Sequence, residues 1–511
     1  MSQMMCNQCE ECAQNVACTV SGVCGKEPEL SSLLDQLKEA CKIISKQVLV
    51  DGDATLEKQR FVMHSMFKLI TNANFNKERI MAELEVAKKL SHQQEFTPYK
   101  ETDADLNAVK SMILSGLMGM CAYHSHAINL GYEDEEIHQF LMKTLAYINE
   151  EKDLGNLLKI VDETGAMGVK VMALLDKANT ETYGTPELSR VQLGVGNRPG
   201  ILISGHDLCD LEQLLKQSEE SGVDIYTHSE MLPAHYYPNL KKYSHLVGNY
   251  GNAWWKQTTE FKSFHGPILF TTNCIVPPSD SANYKDQLYA TGDCDFPGFK
   301  RIKVNADGTK DFSEIIDHAK KCEKPEALES GELMGGFAHQ QVLSLADKIV
   351  ENIKNGSIRK FIVMSGCDGR KKERSYYTEF AQHLEKDTII LTSGCAKYRY
   401  NKLDLGDING IPRLLDAGQC NDSYSLAVVA LKLKEVFGMS DVNELPLSFN
   451  IAWYEQKAII VLLALLHLGF KNIQVGPTLP GYLTPATTAY LVDNFGLTVK
   501  GDVAEDIERL G

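Results

Sequence analysis

Four short apolar runs in this sequence finish on a side chain that binds metals: Ile201-Leu-Ile-Ser-Gly-His206, Leu269-Phe-Thr-Thr-Asn-Cys274, Phe361-Ile-Val-Met-Ser-Gly-Cys367 and Ile390-Leu-Thr-Ser-Gly-Cys395. One such turn is ordinary, because glycine serves any tight turn and reduced cysteine packs as a small apolar residue. Four in series place sulfur and imidazole where open parallel sheets bind ligands, in the crevice outside the strand C-termini. Further donors stand nearby. Cys420, in Asp416-Ala-Gly-Gln-Cys420, precedes a helix whose N-terminal N–H groups favour a thiolate. Glu455 opens a strongly apolar helical stretch, where a carboxylate requires a cation or a metal. Lys457 brings a cation two residues later, although a regular helix points such a pair apart. Glu230, in Thr227-His-Ser-Glu-Met231, reads on its own as an ordinary exposed acid.

A second group of donors crowds the start of the chain. Of 14 cysteines, Cys6, Cys9, Cys12, Cys18 and Cys24 fall within the first 24 residues. Cys6-x2-Cys9, x8 to Cys18 and x5 to Cys24 can wrap one metal centre, and both zinc and an iron–sulfur cluster accept four thiolates. Cys12 lies outside that spacing. The opening Met1-Ser-Gln-Met-Met-Cys6 has neither a basic nor an apolar leader region, so we expect a cytoplasmic protein with reduced thiols rather than a disulfide framework. The longest apolar run, Ala458 to Leu466, falls far short of the roughly 20 residues of a membrane helix. A formal net charge of −16 argues against nucleic acid or an anionic membrane as partner.

Positioning these donors takes a large scaffold, and 511 residues with 43% hydrophobic and 23% charged content supply it. Apolar residues Leu33, Leu34, Leu37, Cys41, Ile44 and Val48 recur at helical spacing, and 56–71, 76–92, 104–130, 134–150 and 154–178 read as further helices. The stretch Ser115-Gly-Leu-Met-Gly-Met-Cys121 carries small residues that let a neighbouring helix approach, and Cys41, Cys121, His124 and His126 read as core filler. Near residue 186, Thr185-Pro-Glu187 and Gly194-Val-Gly-Asn-Arg-Pro-Gly200 break the pattern. Short β-type runs then alternate with helices at about 208–221, 312–322, 375–384, 422–437 and 453–469, which predicts two parallel sheets, with 338–355 linking them. The expected fold is multidomain, α and α/β: a cysteine segment and helical bundles over 1–187, a first Rossmann-like unit over 188–357 and a second over 358–511. A nicotinamide dehydrogenase is disfavoured, because the strand ends lack G-x-G-x-x-G.

These motifs have a family likeness. Cys6-Asn-Gln-Cys9, Cys18-Thr-Val-Ser-Gly-Val-Cys24-Gly-Lys26, Gly205-His-Asp-Leu208, Ser365-Gly-Cys-Asp-Gly-Arg370 and Trp453-Tyr-Glu-Gln-Lys457 resemble the hybrid cluster protein, or prismane, family over the whole chain. The resemblance implies two three-helix bundles followed by two Rossmann-like domains. It implies a [4Fe-4S] cluster on Cys6, Cys9, Cys18 and Cys24, with the spacing typical of strict anaerobes. It further implies a hybrid [4Fe-2O-2S] cluster on His206, Glu230, Cys274, Cys367, Cys395, Cys420 and Glu455, with Cys367 a persulfide and Lys457 beside the cluster. The helical region is somewhat shorter than in the longest members, a departure that touches no ligand. The implied activity is reduction of hydroxylamine to ammonia and water, with electrons passed from a donor protein through the cubane. Mixed sulfur, imidazole and carboxylate ligation independently suits iron bridged by sulfide and oxygen, able to bind a small nitrogen-oxide substrate as a Lewis acid. Lys457, Glu455 and Glu230 are the candidates for the proton steps. The competing readings are nitric oxide reduction to nitrous oxide at the same site, a nickel-containing carbon monoxide dehydrogenase, and a redox sensor or protein nitrosylase acting through Cys367.

Overall fold

The structure is a computed structural model that describes residues 4–511. After the cysteine segment come six helices: α1 (Pro28–Asp51), α2 (Leu56–Lys68), α3 (Lys77–Ser91), α4 (Ala104–Asn129), α5 (Glu135–Tyr147) and α6 (Leu154–Tyr183). Five of them begin on a short polar residue, Thr55, Asn76, Asp103, Asp134 or Asp153, whose side chain accepts a backbone N–H of the first turn. The first begins instead with Pro28 in its opening turn and stops at Gly52, which takes the left-handed φ of 68°. Helix α4 is buried along most of its length, because it packs on α2, on α6 and on a late helix of the chain.

The rest of the chain builds two six-stranded sheets. The first contains β1 (Gly200–Ser204), β2 (Asp224–His228), β3 (Leu246–Asn249), β4 (Ile268–Phe270), β5 (Leu288–Ala290) and β6 (Lys300–Arg301). The second contains β7 (Lys360–Gly366), β8 (Thr388–Thr392), β9 (Leu414–Asp416), β10 (Leu447–Ala452), β11 (Ile473–Gly476) and β12 (Thr498–Val499). Their spatial orders, β3-β2-β1-β4-β5-β6 and β9-β8-β7-β10-β11-β12, are the same pattern, and every neighbouring pair is parallel. This is the doubly wound order, with a ligand crevice where the winding reverses, between β1 and β4 and again between β7 and β10. Three helices matter for the site: α7 (Leu208–Ser218), α8 (Ser423–Val436) and α9 (Gln456–His467). Helix α9 lies against both α4 and α6 and so joins the helical region to the second sheet.

Several sequence-based expectations shift. The helix expected over 453–469 starts only at Gln456, because 447–452 is a central strand paired with β7. The linking helix over 338–355 is two pieces, His339–Ser344 and Ala346–Lys354. Among the described residues, no helix is long and apolar enough to cross a membrane.

Candidate metal centre

All seven expected donors follow strand ends of the two sheets. His206, Glu230 and Cys274 come after β1, β2 and β4; Cys367, Cys395, Cys420 and Glu455 come after β7, β8, β9 and β10. His206 with Cys274 and Cys367 with Glu455 therefore flank the two reversal points. The turns depend on backbone that only glycine provides. Gly366 has φ 110°, and a Cβ there would sit 2.0 Å from the Ala452 carbonyl oxygen; on Gly394, at φ 79°, it would sit 2.4 Å from the Gly366 oxygen. The Ser-Gly-Cys turns after β7 and β8 thus nest against each other and against β10. Cys274 itself takes a left-handed φ of 77°.

Ligand atoms of His206, Glu230 and Cys420 lie within 4.8 Å of one another. Glu230 Oε2 accepts the Cys420 N–H at 2.9 Å and stands 3.6 Å from His206 Nε2, while its Oε1 is buried without a hydrogen-bond partner. Gln419 locks the turn by donating to the His206 and Glu230 carbonyls at 3.0 and 2.8 Å. The His206 ring is oriented by Thr272 Oγ1, 2.8 Å from Nδ1, which leaves Nε2 facing the site. Lys457 Nζ contacts His206 Nε2 at 2.9 Å, donates to Asn273 Oδ1 at 2.7 Å and lies 3.7 Å from Glu455 Oε1. Glu455 is the N-cap of α9 in extended conformation, and its Oε2 accepts the Lys457 N–H at 2.8 Å. That cap explains why residues two apart serve one site: Glu455 precedes the helix and Lys457 sits in its first turn. Cys395 Sγ lies 3.1 Å from Ser229 Oγ.

Burial sets the electrostatics. It pushes the Cys274 and Cys395 thiols well above the ordinary thiol range and Cys367 up to about 12. It also raises the Cys420 thiol and the Glu230 and Glu455 carboxyls and lowers the His206 imidazole. Burial opposes the Lys457 charge too, but Cys420, Glu455, Cys274 and Glu230 outweigh it and hold the amine above its usual range. Glu230, reckoned an ordinary exposed acid when read alone, is therefore buried among these donors. Four thiols, two carboxyls and an imidazole around one ammonium are costly to ionise without a further cation. This donor set fits a polyvalent iron centre: soft sulfur, borderline nitrogen and hard oxygen converge, and one carboxylate oxygen is left over.

The N-terminal cysteines form a separate knot. Cys6 and Cys18 exchange backbone hydrogen bonds at 3.0 and 2.8 Å, and the Ala13 N–H points at Cys18 Sγ at 3.4 Å. Burial raises the Cys9 thiol, with Cys24 and Cys6 adding to the effect, so these sulfurs share one environment. Cys12, outside the expected spacing, packs in the same small cluster as Cys6 and Cys18, and burial raises it to about 11. All are free thiols. Sulfurs gathered on one short loop with a backbone N–H aimed at one of them fit an iron–sulfur cluster.

Two features escaped the sequence reading. Arg374, at the end of a charged run, is fully buried: it donates to Glu10 Oε2 at 3.0 Å, to the Trp453 carbonyl at 2.6 Å and to the Cys367 carbonyl at 3.2 Å. Arg370 grips Glu11 through Nε and Nη2 at 3.0 and 2.6 Å. The cysteine knot is thus clamped onto the turn that carries Cys367, and the Glu10 N–H reaches the Tyr454 carbonyl at 2.9 Å. His126, expected to be core filler, is buried, and its ring lies parallel to that of His206 with centroids 6.4 Å apart.

The model of the Prismane/CO dehydrogenase family matches residues 4–508. A protein named hydroxylamine reductase from Bacteroides fragilis is 54% identical over 538 residues, covering 99% of each chain. Another of that name from Methanocaldococcus jannaschii is 53% identical over 543 residues, covering 99% of this chain and 100% of the other. Among solved structures, carbon monoxide dehydrogenase IV from Carboxydothermus hydrogenoformans superposes with a TM-score of 0.61 at 13% identity, over 99% of this chain and 92% of that one. A Ni-free carbon monoxide dehydrogenase from Thermococcus sp. AM4 gives 0.60 at 15% identity, over 100% and 90%. At these identities the structural likeness speaks for the fold alone. With the family model matching almost end to end, the chain belongs to the Prismane/CO dehydrogenase family.

Proposed function

We propose that this chain is an iron–sulfur oxidoreductase that reduces hydroxylamine to ammonia and water. The observation that carries the reading is that His206 and Glu230 of the first sheet and Cys420 of the second bring ligand atoms within 4.8 Å of one another, with Cys274, Cys367, Cys395 and Glu455 also following strand ends, together with the name borne by relatives more than 50% identical. In this reading the space between them holds the hybrid [4Fe-2O-2S] cluster, with Cys367 as a persulfide, and Cys6, Cys9, Cys18 and Cys24 hold a [4Fe-4S] cubane. When bound, such iron supplies Lewis acidity and electrons to a small N–O substrate. The chain's residues do the rest. The reaction consumes two electrons and two protons per hydroxylamine. Lys457 Nζ holds a proton inside the site, and Asn273 Oδ1 fixes its direction. Glu455 and the unpartnered Glu230 Oε1 are the acceptors through which protons are replenished. The surrounding walls exclude bulk water, so these charges act at low dielectric. Clamped to the Cys367 turn by Arg370 and Arg374, the cysteine knot is the entry for electrons from a donor protein.

Iron and labile sulfide analysis with low-temperature EPR on anaerobically purified protein tests the assignment. About eight irons per chain, from two four-iron centres, are expected; zinc, or only four irons, would refute it. Glu230→Ala is expected to cost at least tenfold in hydroxylamine turnover, as losses around a metal site commonly do, while the cubane signal stays intact. Turnover at the parent rate would remove Glu230 from the site.

A further inference from the structure

A cavity of about 380 Å³ lies where the first sheet reverses its winding. Asp207 after β1, Thr271 after β4 and Asp293 after β5 line it from the sheet, and residues of α2 and α4 line it from the helical region. In doubly wound sheets this is the crevice where ligands bind. Its rim, at Asn129 and Gly292, is exposed, whereas Ser125, His126, Asp207 and Thr271 are buried and mark its inner end. That end meets the metal centre. Asp207 directly follows His206, Thr271 directly precedes the Thr272 whose hydroxyl orients the His206 ring, and the His126 ring lies within 10° of parallel to it.

The charges on its walls are paired with one another. Lys68 Nζ stands 3.1 Å from both Glu83 Oε1 and Asp293 Oδ1, His64 Nδ1 lies 2.7 Å from Asp293 Oδ2, and Lys310 pairs with Asp210. Asp207 accepts from Asn129 at 2.6 Å and caps α7. His126 differs. It is 7% exposed, and neither of its ring nitrogens has a hydrogen-bond partner, Nδ1 standing 3.5 Å from Asp207 Oδ2, beyond the range of a good bond. Walls with no spare charge favour an uncharged guest over an ion, and buried nitrogens without partners call for a ligand that hydrogen-bonds. An imidazole offers a donor on one nitrogen and an acceptor on the other, and hydroxylamine, largely uncharged at neutral pH, carries both in return.

We propose that this cavity binds hydroxylamine on its way to the metal centre, with His126 as the residue that holds it at the inner end. The proposal rests on the functional reading above. In it His126 is a binding residue that acts before the chemistry, and the helical region supplies the substrate's waiting place while the two sheets supply the metal donors.

His126→Phe keeps a buried ring and removes both nitrogens, whereas Ser125→Phe puts a ring into the cavity and leaves His126 in place. In steady-state assays His126→Phe is expected to raise KM for hydroxylamine about tenfold, the scale of a lost buried hydrogen bond, with kcat little changed, and Ser125→Phe to lower kcat/KM at least as far. Crystals of the oxidised protein soaked with methoxyamine, with no electron donor present, give a readout independent of turnover. Density within hydrogen-bond reach of His126 is expected in the parent and not in His126→Phe. Where His126→Phe folds poorly, the parent soak and Ser125→Phe decide. Water alone in the soaked parent cavity, or parental kcat/KM in Ser125→Phe, overturns the proposal. Parent protein that holds methoxyamine there yet does not turn over hydroxylamine would instead overturn the functional reading beneath it.

Discussion

Lys457→Met is expected to lower kcat for hydroxylamine by about 10²–10⁴-fold, the range typical of a lost general acid. Lys457 is buried, its Nζ donates to Asn273 Oδ1, and the surrounding acids hold its proton on through neutral pH. Methionine matches the stem and removes both the proton and the charge. Lys457→Arg restores the charge but replaces a compact ammonium with a planar guanidinium that cannot take the same position, so it should recover iron content without recovering rate. Single-turnover kinetics on protein of matched iron content checks this. A Met variant within threefold of the parent would show that the protons come from another group. The buried acids would also lose their cation, so the metal-free Met variant should be less stable than the metal-free parent, which a thermal melt reads directly.

Arg374→Met should act on the other side of the molecule. Arg374 and Glu10 are both fully buried and hydrogen-bonded; Lys371 Nζ, 2.6 Å from Glu10 Oε1, still faces the carboxylate when Arg374 is removed, so the loss should be about 1–3 kcal/mol. Beyond the lower Tm, the cysteine knot should loosen from the turn that carries Cys367, since Arg374 also holds the Trp453 and Cys367 carbonyls. The N-terminal cluster signal should therefore be lost or heterogeneous while the Cys420-containing centre persists. Equal melting temperatures for parent and Arg374→Met would contradict the clamp.

The donors His206, Cys274, Cys367 and Cys395 were legible because each depends on a local signal, an apolar run closed by a short turn and a ligand. What stayed hidden is non-local. Strand β10 reads Leu447-Ser-Phe-Asn-Ile-Ala452, and its polar residues spoil the apolar run. Yet Asn450 is fully buried, donating to Tyr376 OH at 3.1 Å and accepting from Gln474 Nε2 at 3.1 Å. A partner that distant in sequence cannot be read from the strand itself. Missing it put the helix start too early and made Glu455 and Lys457 look divergent. Arg374 sits in Arg370-Lys-Lys-Glu-Arg374, a run whose composition suggests a solvated face, and only its pairing with Glu10 explains its burial. His126 obeys the helical period of α4 and so reads as core; His206, just after β1 of the first sheet, makes it a neighbour of the metal centre. Its only signal is the small-residue stretch that precedes it, which marks close approach without saying to what.

The clamp has a consequence for how the protein is made. Residues 6–24 leave the ribosome well before the side chains and carbonyls that hold them, which lie between Cys367 and Gln456. At ordinary rates of synthesis the interval is on the order of tens of seconds. During it the thiols of the knot have no fixed geometry and stand open to oxidation or to stray metal ions. The framework that fixes the knot is therefore complete only once Gln456 has been made, and a chain that ends before it lacks that hold on Gln8.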